Sequence, residues 1–179
     1  MRNQLIKTFP TYHEEYHLSL DIKPISPVNA WANIIHVTKG GNFGEYGDAM
    51  PSIWFLLGTT KLYVCASTIS TNKTNCYEGE TNLPLAKFTH VQVSQVHQPD
   101  TRSYSLTVYV DGKLVHQIQN AEPTTLKNVK VYLGDPWYVS ANALVKNVKI
   151  STHQGGLVIY FNFRNFCKFC NKKPDKFAP

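Results

Sequence analysis

Two stretches of this chain place aromatic rings beside amides and carboxylates. Lys39-Gly40-Gly41-Asn42-Phe43-Gly44-Glu45-Tyr46-Gly47-Asp48 offers Tyr46 with Asn42 and Asp48, and the segment from Gly134 offers Asp135, Trp137, Tyr138 and Asn142. A ring can cover an apolar ligand face while amides and acids fix its hydroxyls, so these seven residues suit the holding of a sugar. Packing of one loop on another is the competing reading. Cleaving a glycosidic bond with retention makes a different demand, two carboxylates about 5 Å apart. Glu78-Gly79-Glu80 reads as loop beside Cys76, and the seven histidines are scattered, with His90, His97 and His116 in strand patterns that turn them to solvent. No Ser/His/Asp order stands out, and no catalytic residue is expected.

The cysteines carry the second piece of chemistry. Four of them allow three pairings. Cys65 ends one strand-like run and Cys76 opens the next, so a hairpin would bring them together, and closing that loop would stabilise by about 3 kcal/mol. Two buried free thiols are the alternative. Between them stands Asn72-Lys73-Thr74, the one glycosylation sequon of the chain. Disulfide and sequon together favour an extracellular setting. Cys167-Lys168-Phe169-Cys170 lacks the second cysteine or histidine pair of a closed zinc site, and a redox CxxC normally opens a helix. A structural or intermolecular disulfide is the better reading there.

The elements that must position these residues are strands. Tyr104, Leu106, Val108 and Val110 alternate with polar residues, Asp111-Gly112 supplies a hairpin turn, and Lys113–Ile118 returns. Similar runs occur at Tyr16–Ile22, Ile34–Val37, Ile53–Leu57, Leu62–Ala66, Val91–Val96, Val129–Leu133 and Leu144–Ile150, and Tyr12–Pro24 reads as an edge strand. Trp31 and Trp54 lie inside strand-like runs and are expected in the core. No stretch reads as a helix, so an all-β antiparallel sandwich or barrel follows.

Charge divides the chain. Net charge is +6, and residues 161–179 hold five basic residues against one acid, leaving the body nearly neutral. A nucleic-acid surface would spread basic charge over the fold, so nucleic acid is not an expected partner. No apolar run approaches the roughly 18 residues of a membrane span. Met1-Arg2-Asn3-Gln4 leads into no apolar signal region, so Met1 reads as an expression start on a mature segment. The organisation expected is a sandwich over 1–160 and a tail over 161–179, whose Phe161, Phe163, Phe166, Phe169 and Phe177 suit docking on the sandwich or on another copy.

Six blocks, in order, resemble laminin-G-like domains of the concanavalin-A-like lectin/glucanase superfamily, notably the secreted marine-invertebrate type. They are Tyr16–Pro24, Trp31–Thr38, Pro51-Ser52-Ile53-Trp54-Phe55, Lys61-Leu62-Tyr63-Val64, Tyr109-Val110-Asp111-Gly112-Lys113 and Val131–Trp137. The resemblance covers Tyr16–Ile150 and implies a two-sheet jelly roll, usually extracellular, that binds glycans or matrix proteins through rim loops, often with calcium. Beyond it, Leu157–Asn162 could close the sheet. Calcium takes six to eight oxygens. The family's pattern of rim aspartates points to Asp48 and Asp135 as ligands, with Asp100, Asn42 or Asn142 as further donors, although Asp135-Pro136 is also a good turn and Asp48 a good cap. The glucanase branch carries E-x-D-x-x-E, which Glu45-Tyr46-Gly47-Asp48 does not match. The expectation is a secreted, non-catalytic glycoprotein that binds a glycan or extracellular glycoprotein in adhesion. The alternative is a structural protein of a matrix, coat, fibre or adhesive that self-assembles into homo-oligomers through its tail.

Overall fold

A computed structural model describes residues 3–68, 74–152 and the backbone of 159–161. Asn72, Cys167, Cys170 and the tail beyond 161 lie outside the described residues. Among the described residues every regular element is a strand: β1 (Gln4–Tyr12), β2 (Tyr16–Pro24), β3 (Ala32–Thr38), β4 (Ser52–Phe55), β5 (Leu62–Ser67), β6 (Thr74–Glu78), β7 (Thr89–Gln98), β8 (Ser103–Val110), β9 (Lys113–Asn120), β10 (Leu126–Leu133), β11 (Val139–Ser140), β12 (Ala143–Thr152) and β13 (Ile159–Phe161). One sheet runs β1-β10-β3-β4-β5-β6, with β11 beside β3, and the other runs β13-β12-β2-β7-β8-β9.

Period-two alternation puts one face of each sheet into a shared core. Ile35, Val37, Ile53, Phe55, Leu62, Val64, Val129 and Val131 from the first sheet join Leu18, Leu20, Ile22, Val91, Val93, Leu106, Val108 and Ile150 from the second. Burying each such side chain contributes on the order of 1.5–3 kcal/mol, which makes this layer the main source of stability. Asp111 and Gly112 take positive φ angles at the β8–β9 turn, as the Asp-Gly pair requires. The closing strand expected at Leu157–Asn162 is seen as β13, paired with β12.

The N-terminal reading needs correction. Tyr12–Pro24 is not one edge strand, because the chain breaks at His13–Glu15 and changes sheets. Gln95 Nε2 donates to the Glu14 carbonyl (2.6 Å) and the Thr125 hydroxyl donates to the Glu14 carboxylate (2.6 Å), which fixes that turn. β1 before it is the true edge and carries Pro10, whose missing N–H an edge tolerates. β2 after it is central, between β12 and β7, with Leu18, Leu20 and Ile22 fully buried.

Candidate functional site in an aromatic cleft

All seven residues of β3 and all four of β4 are buried, although only one face of these strands meets the core. Two loops cover the other face: 39–50, between β3 and β4, and 134–142, after β10. Alternation opposite to Ile53 and Phe55 turns Trp54 outward, and its register partner Tyr63 leaves Leu62 and Val64 to the core. Trp31 stands just before β3 with its ring 5.0 Å from that of Tyr63, at 76°. The loops add Phe43, 6.4 Å from Trp54 at 76°, and Tyr138, 6.0 Å from Trp54 at 77°. These five rings line a cleft of about 190 Å³. Trp31 and Phe43 remain 39% and 46% exposed, whereas Trp54 is buried beneath them.

A buried polar knot fastens both loops. His36 Nδ1 lies 2.8 Å from Asp135 Oδ2, and its Nε2 lies 2.6 Å from the Asp48 carbonyl oxygen. Both ring nitrogens are thus engaged, one with the Asp135 carboxyl group and one with the Asp48 backbone carbonyl, so the imidazole bridges the two loops. Asp135 Oδ1 also accepts the N–H groups of Trp137 (3.0 Å) and Tyr138 (2.7 Å), which shapes the turn that delivers Tyr138 to the cleft. The Asp135 N–H in turn donates to Asn33 Oδ1 at 3.0 Å. In the other loop, Asp48 Oδ2 accepts the Glu45 N–H at 2.9 Å. Gly41 permits that packing, because a Cβ there would collide with the Asp48 carboxylate. Ser67 Oγ holds the Gly47 and Ala49 N–H groups, tying the loop to the end of β5.

The structure scatters the seven residues read as a ligand set. Tyr138 alone lines the cleft. Trp137 packs on His36 (5.2 Å) and Tyr132 (6.5 Å). Tyr46 turns away, its hydroxyl accepting the Thr124 N–H at 2.9 Å. Asn142 donates to Ser26 Oγ at 2.7 Å. Asp48 and Asp135 are buried fasteners of the loops. Asn42 precedes Phe43, and its Oδ1, like Asp48 Oδ1 and Trp54 Nε1, is buried without a protein partner. Trp31, expected in the core, instead stands 39% exposed at the cleft. Trp54 is buried as expected, but in a second, smaller cluster with Ala49 and Cys65 under the loops, and its phase against Ile53 and Phe55 carried the signal for that face.

Calcium does not fit between Asp48 and Asp135. Both Asp135 oxygens already accept from His36, Trp137 and Tyr138, and calcium asks for six to eight oxygens. Among the described residues, no three His, Cys, Asp or Glu side chains gather as metal ligands.

Beside the cleft, Cys65 and Cys76 face each other across β5 and β6 and form the expected disulfide. Burial raises the Tyr63 phenol above its usual range, and the nearby Glu78 carboxylate and Tyr138 add to the shift. Glu78 is the register partner of Tyr63, so a carboxylate borders the aromatic wall. No helix among the described residues is long and apolar enough to cross a membrane.

No family model matches the chain. No curated protein matches it. Solved structures do. A native heptameric SAP-like pentraxin from Limulus polyphemus superposes over 82% of this chain and 67% of its own, at 12% identity and a TM-score of 0.55. Domain 4 of a GH43 extracellular arabinanase from Geobacillus stearothermophilus, in complex with arabinotriose, matches over 80% of this chain and 64% of its own, at 19% identity and a TM-score of 0.50. Likeness at this identity establishes the fold alone, a two-sheet antiparallel jelly-roll sandwich. The chain spans about two thirds of the length of each of these two structures.

Proposed function

We propose that the chain is a non-catalytic, secreted recognition module of laminin-G-like type, which holds a glycan or extracellular glycoprotein in adhesion at the cleft on the outer face of the first sheet. The observation that carries the reading is the exposure of Trp31 and Phe43 above buried Trp54. Large rings left open beside a cleft mark a ligand surface more often than an inert one. Rigid strands hold Trp54 and Tyr63, and the His36 knot holds the loop that brings Tyr138, so the site is preorganised. The carbohydrate complex of the arabinanase domain agrees with use of this fold for sugars. The Cys65–Cys76 disulfide agrees with secretion.

A glycan-array screen of the wild-type chain beside Trp31→Ala tests the reading. Trp31→Ala should lose about 1–3 kcal/mol of affinity, as a ring at a binding hot spot does. Its urea midpoint should stay close to that of the wild type, because Trp31 is 39% exposed. Trp137→Ala should act the other way, through stability, since its ring covers His36. Unchanged binding by Trp31→Ala on a ligand-positive array would overturn the placement. The second reading, self-assembly, is favoured by the five phenylalanines and five basic residues of 161–179. Deleting 166–179 and measuring mass by light scattering tests it, because loss of an oligomer is what that reading requires.

A further inference from the structure

We infer that the group entering the cleft is a quaternary ammonium, a choline-type trimethylammonium carried as a substituent on the ligand. This rests on the reading that the cleft is the ligand site, and it names the chemistry received there.

Size sets the first limit. About 190 Å³ falls below the roughly 300–1,000 Å³ of sites that engulf whole ligands, whereas a cavity of about 150 Å³ already holds benzene. The cleft therefore takes one compact head group. Lining sets the second. Trp31, Phe43, Trp54, Tyr63 and Tyr138 surround the space, and no amide, carboxylate, lysine or arginine is among the lining residues. A primary ammonium would leave hydrogen bonds with water behind and find few acceptors here, and the hydroxyls of a sugar carrying the head group would stay at the mouth of the cleft. A trimethylammonium has no N–H to satisfy, so its entry breaks none.

Arrangement sets the third. Three neighbouring ring pairs meet at 76–77°, with centroids 5.0–6.4 Å apart. Five rings at differing orientations therefore wall one small space from several sides, and an aromatic face carries the negative side of the ring quadrupole. Cation–π attraction acts within about 6 Å of a ring centroid, a reach that matches the spacing of these rings. Glu78, opposite Tyr63 in the β5–β6 register, adds a carboxylate near the cleft. The shift of the Tyr63 phenol by Glu78 agrees with that proximity.

The test titrates the full chain with choline chloride, tetramethylammonium and 3,3-dimethyl-1-butanol, an uncharged isostere of choline, following tryptophan fluorescence and calorimetric heat. Choline and tetramethylammonium should bind, and the isostere at least tenfold more weakly. Trp31→Leu and, separately, Phe43→Leu should each weaken choline by tenfold or more, and Glu78→Gln by a few-fold. Equal binding of choline and its isostere would overturn the inference, because only apolar fit would then be at work. Binding of methyl glycosides that Trp31→Leu abolishes, with no response to choline, would also overturn it while upholding the glycan reading. Choline binding unaffected by both leucine variants would place the site elsewhere and overturn the inference.

Discussion

His36 and Asp135 meet through a 2.8 Å contact across 99 residues of sequence, both side chains fully buried. The pair lies on the outer side of β3, where the two loops cross, and binds one loop through the Asp135 turn and the other through the Asp48 carbonyl. A charge in such a place is retained only when its partner is present, since the interior offers it no water.

Asp135→Ala should therefore destabilise the fold by about 3–5 kcal/mol, the usual cost of leaving one member of a buried pair alone. Urea unfolding followed by tryptophan fluorescence measures it. Asp135→Asn, which can still accept the Trp137 and Tyr138 N–H groups, should cost less. Equal stability of wild type and Asp135→Ala would show that the contact does not fasten the loops.

Much of the sandwich was legible because period two is a local signal: β2 to β5, β7 to β10 and β12 fall close to the alternating runs, whereas β6 matched none of them. β1 was not legible, since a bulge between Leu5 and Lys7 breaks its alternation and its burial is mostly partial. The site was half legible. The two loops were found, but their residues were assigned by chemistry rather than direction, and Asp135, Asp48 and Tyr46 spend their polar atoms on protein partners. Trp54 could have been placed outward from its phase against Ile53 and Phe55. Trp31 and Phe43 could not, because no alternation sets the direction of a loop residue.

Cys65 and Cys76 close a loop with a sequence separation of 11, beside the strands that carry Tyr63 and Glu78. In the chain-entropy model a loop of that length contributes about 3 kcal/mol. The double variant Cys65→Ala/Cys76→Ala should lower stability by about that amount. Addition of dithiothreitol should lower the wild-type urea midpoint and leave that of the variant where it was. A variant as stable as the oxidised wild type would show that packing alone holds β6 in place.

His17 lies on the outer face of the second sheet, its Nδ1 2.9 Å from Ser94 Oγ. Burial pushes its pKa down, and His90 and Lys149 push it further. Asp21, four residues further along β2, is held by His90 (2.7 Å) and Asn147 (2.6 Å). The folded chain thus takes up a proton at His17 less readily than the unfolded chain, whose histidine titrates near 6.5. Stability from this residue is complete above about pH 6.5 and falls as pH drops through the lowered folded value. His116, lowered by burial, adds in the same window. For Asp21, burial works upward but the bonds from His90 and Asn147 prevail and lower its pKa, so its contribution persists to more acid pH, below about 4. Urea midpoints between pH 7.5 and 3 should show two declines, one below about 6.5 and one below about 4. His17→Gln should reduce the first and spare the second. Parallel profiles for wild type and His17→Gln would remove His17 as the source of the first decline.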